Sequence, residues 1–252
     1  MKRLVRIALP DVHFPFEDEG LLGVWLSHMQ DLNPDGIDIL GDLIDCYSLS
    51  RFDRNPNRKG TFQEEIDLAS GFLKDMRALV GNDCDIRMSE GNHEHRLTKM
   101  LWSKAPALAT IWNFTIPELL GLKKLGIEWH SIQNPYRIRD LWYTHGDVLR
   151  KHAGMSARAK SDSIHSSVMV GHSHRLGWSP YTTWEGIEQA YDAGHVNDYT
   201  QLDYVHTTPN WQQGWPVVEF LSEGVHDVSF ARVHSVGKKR IVVYKGEVIA
   251  KL

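Results

Sequence analysis

Five short runs of the chain place acids, histidines and an asparagine beside glycine or at the ends of apolar segments. They are Asp11-Val12-His13, Gly41-Asp42-Leu43-Ile44-Asp45, Gly91-Asn92-His93-Glu94, His145-Gly146-Asp147 and Gly171-His172-Ser173-His174. Taken singly, each reads as an ordinary loop or turn with satisfied side chains. Together, Asp11, His13, Asp42, Asn92, His145, His172 and His174 offer seven oxygen or nitrogen donors, a set that two borderline divalent cations would take if one carboxylate bridged them. No cysteine belongs to the set, which disfavours a structural zinc site and suits Mn²⁺, Fe or Zn²⁺ in a catalytic role. Five such runs in order carry a specificity that none has alone.

Donors so spread along a chain need elements that end where they stand. Leu4 to Leu9, bounded by Pro10, predicts a buried strand delivering Asp11 and His13 to a loop. Leu21, Leu22, Trp25, Leu26 and Met29 recur at helical spacing and lead to a second strand at Ile37 to Leu40, a β-α-β unit. A strand ending in Gly-Asp lifts Asp42 to the carboxyl end of a sheet, where open α/β folds gather their ligands. Thr61 with Glu64 resembles a capping box, Ile66, Ala69, Leu73, Met76 and Val80 follow at helix periodicity, and Gly81 is the stop. Asp85 to Ser89 predicts a third strand. From His95 to Leu122 the chain reads as mostly helical, interrupted around Pro106 and Pro117, and forms a cap over one side of the sheet. Strands are predicted at Ile127 to His130 and Leu141 to Thr144, a helix at Ala153 to His165, and a short strand at Ser167 to Val170. Beyond Arg175 the signal is mainly strand: Pro216 to Leu221, Val225 to Val233, and a hairpin of Arg240 to Tyr244 with Glu247 to Lys251 turning at Lys245-Gly246. With no repeat, low-complexity tract or linker, one α/β domain over residues 1–252 is expected, its motifs within 11–174 and its last part, 175–252, mainly strands.

With 42% hydrophobic and 24% charged residues, the composition is that of a soluble globular protein. A net charge of -4 speaks against wrapping nucleic acid over a broad basic surface, and leaves room for a local basic patch. The polar stretch Ser50 to Gly60, with Arg51, Arg54, Arg58 and Lys59, could hold an anionic substrate, and reads equally as a solvated loop. Cys46 and Cys84 lack metal-type spacing and predict free thiols in a reducing compartment. Arg6 interrupts a first apolar run too short for a signal-peptide core, and no stretch approaches the roughly 20 apolar residues of a membrane span, so a cytoplasmic location without membrane contact is expected. The aromatic segments Trp178 to Trp184 and Asn210 to Trp215 could stack a base or fill the core; core filling is the preferred reading.

The succession D-x-H, G-D-x-x-D, G-N-H-E, H-G and G-H-x-H, over residues 11–174, is similar to the signature of the calcineurin-like metallophosphoesterases. The resemblance implies a four-layer α/β/β/α sandwich with a dimetal site at the strand ends. It implies that Asp11, His13, Asp42 and His174 hold one metal and Asp42, Asn92, His145 and His172 the other. Asp42 would bridge them together with a water or hydroxide of lowered pKa. Mn²⁺ is the first choice of metal, with Fe, Zn²⁺ or Ni²⁺ as alternatives. His93 resembles the histidine that protonates the leaving alkoxide, and Asp45 the carboxylate that orients it; a loop-capping role for Asp45 is the alternative. His95, Arg96, Arg150, His152 and Arg175 lie beside motif residues as candidate substrate contacts, each reading equally as a surface charge. The remaining histidines, His28 and His195 among them, take no role.

Protein phosphatases that share this signature continue the second motif as Asp-Arg-Gly, whereas Asp45 is followed here by Cys46-Tyr47. Together with the closing Gly-His-x-His, this looks more like the phosphodiesterase, nucleotidase and repair-nuclease branches. The resemblance therefore implies a dinuclear phosphoesterase that hydrolyses phosphodiester bonds, with phosphomonoesters as a further substrate class, by a metal-activated hydroxide. Its substrate would be a phosphate ester such as a nucleotide or a single-stranded nucleic acid. Protein phosphatase is the alternative. A non-catalytic metal-binding scaffold of the same fold, as in the retromer coat, is another, and the completeness of the donor set argues against it.

Overall fold

In chain order the elements are β1 (Leu4–Leu9), α1 (Glu19–Leu32), β2 (Gly36–Ile39), α2 (Phe62–Val80), β3 (Asp85–Ser89), α3 (His95–Lys104), α4 (Ile116–Leu119), β4 (Ile127–His130), β5 (Tyr136–Ile138), β6 (Leu141–Thr144), α5 (Met155–Ile164), β7 (Val168–Val170), β8 (Leu176–Thr182), β9 (Ile187–Ala193), β10 (Gly214–Ser222), β11 (Val225–Val236), β12 (Lys239–Tyr244) and β13 (Glu247–Lys251). They are taken from a computed structural model that describes residues 3–51, 55, 60–111, 113–202, 205, 207–222 and 225–252. Arg54, Arg58 and Lys59, candidates for holding an anionic substrate, lie outside the described residues.

Side-chain alternation along the strands decides the layering. Ile7 and Leu9 of β1 join Ile37 and Ile39 of β2, Leu21, Trp25 and Met29 of α1, and Ile66, Leu73 and Met76 of α2 in the largest core. Ala8, on the other face of β1, packs with Val218 and Phe220 of β10 against Tyr143 and Met169 of a second sheet. On the far face of that sheet Ala157 of α5 meets Val168, Val170 and Ala190. The result is the four-layer α/β/β/α sandwich that the resemblance implies. The first sheet runs β13-β12-β11-β10-β1-β2-β3-β4 and the second β5-β6-β7-β9-β8. β1 to β4 are parallel, as are β6, β7 and β9, so their carboxyl ends point one way and bring the five motif runs to a common edge.

The expected capping box is formed by Thr61 and Glu64, and Gly81 stands just past α2 with a positive φ. Pro117 opens α4 instead of interrupting a helix, because its missing N–H is free to stand in a first turn. Leu97, Leu101, Ile116, Leu120 and Leu122 join the α1–α2 core, so the segment expected to cap one side of the sheet does so on its helical face. The short β5 and the β8–β9 pair are not individually legible in the sequence. β8 is a sheet edge that carries Pro180, and its Trp178 is exposed while Leu176 and Tyr181 are half-buried. Cys46 and Cys84 are free and buried. Among the described residues no helix is long and apolar enough to cross a membrane.

Between the sheets lies a buried charge. The Arg6 guanidinium donates to both carboxylate oxygens of Asp38 at 2.9 Å and to Asp85 Oδ2 at 2.8 Å, and the Tyr136 hydroxyl donates to Asp38 Oδ1 at 2.8 Å. The register sets Gly36 opposite Arg6, and a Cβ there would collide with the guanidinium. Gly36→Ala is expected to lower unfolding stability by about 1–3 kcal/mol. Gly23→Ala on the open side of α1, where a Cβ meets nothing within 4 Å, should raise it by about 0.5–1 kcal/mol, both read from urea midpoints.

A second buried group gives stability a pH dependence. The Trp215 indole N–H donates to His28 Nδ1 at 3.0 Å, and burial pushes the His28 pKa down to about 4. The unfolded chain then binds a proton that the fold refuses. This contribution, about 3 kcal/mol in full, is present above pH 6.5 and is lost as pH falls toward 4. His28→Gln should flatten that part of a stability profile measured by urea unfolding between pH 4 and 7.

Candidate metal centre

Each donor stands where a strand gives way to a loop. Asp11 and His13 follow β1, Asp42 follows β2, Asn92 follows β3, His145 follows β6, and His172 and His174 follow β7. Asp11, His13, Asp42, His172 and His174 all have positive φ, between 42° and 63°, a region costly to residues other than glycine. Backbone bonds hold them there: His13 N–H donates to Asp42 O at 2.9 Å, and His172 N–H to the Asp11 carboxylate at 3.0 Å.

Asp11, His13 and His174 present ligand atoms within 4.8 Å of one another, as do Asp42, His145 and His172. Asp42 lies between the groups, with Oδ2 3.2 Å from His145 Nε2 and 3.7 Å from His13 Nε2. Asn92 Oδ1 is 3.0 Å from His145 Nε2. All seven candidate donors thus converge, and the environment asks for positive charge. His145 Nδ1 donates to Leu40 O at 2.8 Å while Nε2 faces Asn92 and Asp42. Burial opposes the charged ring, but the Asp42 carboxylate prevails and raises His145 to about 10. A cation can take the place of that Nε2 proton. His13 Nε2 and His174 Nε2 face each other at 3.1 Å, with Asp11 Oδ1 3.3 Å from the latter, a second spot where lone pairs converge on one point. Burial and then its acidic neighbour Asp42 contribute to raising Asp11 to about 6, whereas His145 and His93, working against burial, hold Asp42 well below the usual carboxylate range. The donor set fits divalent cations.

Asp45 sits behind two rings. His13 Nδ1 lies 3.0 Å and His93 Nδ1 3.2 Å from Asp45 Oδ2, while His93 Nδ1 also donates to the Asp45 carbonyl at 2.8 Å. Both rings accordingly turn Nε2 toward Asp42. The carboxylate that the motif assigns to His93 therefore orients His13 as well. Arg96 donates to Asp45 O at 2.8 Å and approaches His93 Nε2 at 3.0 Å. His95 turns away to Glu90 at 3.0 Å, and Arg150 and His152 are exposed. Of the candidate substrate contacts, only Arg175 lines the cleft shared by His13, Asp42, Asn92, His93, His172 and His174.

Two features escape the sequence. One is Glu94, fully buried, whose Oε2 accepts the N–H groups of Asp42 and Gly91 at 2.9 Å, and whose Oε1 accepts those of Leu43 and Ile44 at 2.7 and 3.1 Å. Burial and Asp42 push its pKa up to about 7, against the pull of the backbone donors. Gly91 leaves the room this needs, since a Cβ would collide with both Asp42 and Glu94. The G-N-H-E run carried the signal, but a carboxylate's backbone partners are invisible in a sequence. The other is the aromatic pair expected to fill the core. Trp215 does so, yet Trp211 lines the cleft and packs edge-on against His174 at 4.2 Å, and Trp178 and Trp184 face solvent.

No family model matches the chain. The fold and donor set define a four-layer α/β protein with histidine and aspartate clusters able to hold metal. It is 30% identical over 234 residues to the Gene 54 protein of Mycobacterium phage L5, covering 86% of this chain and 88% of that protein. It is 29% identical over 229 residues to the Gene 54 protein of Mycobacterium phage D29, covering 85% and 87%. The chain belongs to the family of these mycobacteriophage Gene 54 proteins. Among solved structures it is similar to Vps29 of Chaetomium thermophilum, at 9% identity and TM-score 0.48, covering 99% of this chain and 93% of that one. It is also similar to the E. coli phosphoesterase YfcE, at 12% identity and TM-score 0.36, covering 100% and 98%. Scores this low carry no argument about activity.

Glu94→Gln leaves one amide oxygen for four N–H donors. It is expected to lower stability by about 2 kcal/mol or more in urea unfolding and to weaken Mn²⁺ uptake, measured by calorimetry, roughly 10- to 100-fold.

Proposed function

We propose that the chain is a dinuclear metal-dependent phosphoesterase acting on phosphodiesters, with a nucleotide or nucleic-acid-like substrate. The observation that carries this reading is Asp42 standing between two groups of converging donors. Asp11, His13, Asp42 and His174 would hold one cation and Asp42, Asn92, His145 and His172 the other, Mn²⁺ first, with Fe, Zn²⁺ or Ni²⁺ as alternatives. Two such ions supply polarisation of a phosphoryl oxygen and a water acidified enough to attack phosphorus near neutral pH.

The chain's own part is to place the groups around that chemistry. His93 keeps a proton on Nδ1 by donating to the Asp45 carbonyl, which leaves Nε2 to face the cleft beside Asp42. That nitrogen is the atom that would carry a proton to the leaving alkoxide. In the free protein Arg96 lies 3.0 Å from that nitrogen, so the guanidinium must shift for Nε2 to take up a proton from water before passing it on. The position where protein phosphatases carry arginine holds Cys46, fully buried in the core, which supports a diesterase over a protein phosphatase.

Protein loaded with Mn²⁺ is expected to hydrolyse bis(p-nitrophenyl) phosphate, to lose activity in EDTA, and to regain it on Mn²⁺ addition; turnover of neither this diester nor p-nitrophenyl phosphate would sink the reading. Asp42→Asn should lower both metal content and turnover. His93→Gln should lower kcat by roughly 100-fold or more with the metal content intact, and loss of metal in that variant would make the residue structural.

A further inference from the structure

The cleft over the candidate ligands has a volume of about 160 Å³. That holds a phosphoryl group and falls short of the several hundred Å³ of a typical small-molecule pocket, so the rest of a substrate must lie on the rim. Outside the donor set and His93, the rim is made by Leu149, Ser173, Arg175 and Trp211. Leu149 is 57% exposed, an apolar side chain left in water beside a polar site.

Trp211 is held in place before any ligand arrives. Its indole packs against His174 at 4.2 Å and stands at 90° to Tyr199 at 6.3 Å. The neighbouring Gln212 N–H donates to His174 O at 2.9 Å, and Gln212 Oε1 accepts from the Leu176 N–H at 3.3 Å. Asn210 bonds to the Lys151 carbonyl at 3.2 Å, which ties the Trp211 loop to the loop that carries Leu149. A fixed aromatic group beside an apolar one suits a planar ring, and its ordering is complete in the free state. Arg175 is the opposite case. Its Nε and Nη1 are buried without a hydrogen-bond partner, a costly state for donors on a charged group. An anion in the cleft that this side chain lines would satisfy them after a small turn of the guanidinium.

We propose that Trp211 and Arg175 form the recognition lip of this site, selecting phosphodiesters that carry a nucleobase next to the scissile phosphate. Trp211, flanked by Leu149, takes the base, and Arg175 donates to a non-bridging phosphate oxygen. This rests on the phosphoesterase reading above and names its substrate class.

The test uses Mn²⁺-loaded protein with two diesters, the dinucleotide d(TpT) and glycerophosphoethanolamine, which has no aromatic ring. Trp211→Leu should raise KM for d(TpT) roughly 5- to 100-fold, the range for one lost base stack, and lower the d(TpT)-over-glycerol selectivity accordingly, whereas Trp211→Phe should restore most of it. Arg175→Gln should lower kcat/KM for both diesters at least tenfold, with Arg175→Lys recovering part. Calorimetric binding of d(TpT) to each variant is a readout independent of turnover. If wild-type protein binds d(TpT) and Trp211→Leu weakens binding, while no ester is hydrolysed, the lip stands and the phosphoesterase reading falls. If esters are hydrolysed but selectivity and d(TpT) affinity are the same in wild type and Trp211→Leu, or Arg175→Gln leaves both kcat/KM values in place, the lip is overturned.

Discussion

One buried carboxylate laces two loops together. Glu94 follows β3 by a few residues, yet its two oxygens take the backbone N–H groups of Asp42, Leu43 and Ile44 after β2, along with Gly91 of its own loop. Asp42 can stand between the two donor groups only while that turn keeps its left-handed bend, and His93 can reach Asp42 only while its loop lies against it. Parallel β2 and β3 bring the loops to the same edge, and Glu94 fixes how they lie there. From the other side Glu65 of α2 accepts the Tyr47 N–H at 3.2 Å, so the stretch from Asp42 to Tyr47 is held at both ends by buried acids.

This arrangement explains which parts were legible in the sequence. The strands before the first, second and third motif runs announce themselves as short runs rich in apolar residues, the helices α1 and α2 through helical spacing of the residues they bury, and the terminal hairpin through its turn at Lys245-Gly246. The seven donors are readable because their chemistry needs those residue types at strand ends. Whatever depends on contacts between distant segments is not readable. Asp45 accepting from His13 as well as His93 needs the β1 and β2 loops side by side, and nothing in the local sequence distinguishes Trp211 from Trp215. The same holds for β8, an edge strand whose Trp178 is exposed and which alternates between half-buried and exposed positions without a continuous apolar face.

The two buried ionic systems do different work. Arg6 pairs with Asp38 between the sheets and with the half-exposed Asp85, which Arg87 also pairs, and Tyr136 on Asp38 ties β1, β2 and β3 to the second layer at a fixed register. Such a network is costly to bury and breaking it by removing one partner would leave an uncompensated buried charge. The donor cluster is the reverse. Asp11, Asp42 and Asp45 crowd together among histidines, with Arg96 3.5 Å from Asp45, so acids and ring nitrogens converge at the strand ends.

Five of the seven donors hold left-handed backbone, each at a cost of about 1–3 kcal/mol for a residue that is not glycine. Random substitution under selection for stability alone would carry these positions toward glycine, which adopts that backbone freely. Aspartate and histidine at all five set a limit on how far the fold can drift toward its most stable sequence. Thermostabilising this protein by relieving backbone strain at these five positions would therefore erase its donors, whereas left-handed positions such as Arg139, His165 and Lys245 lie outside the donor set and can be relieved without touching it.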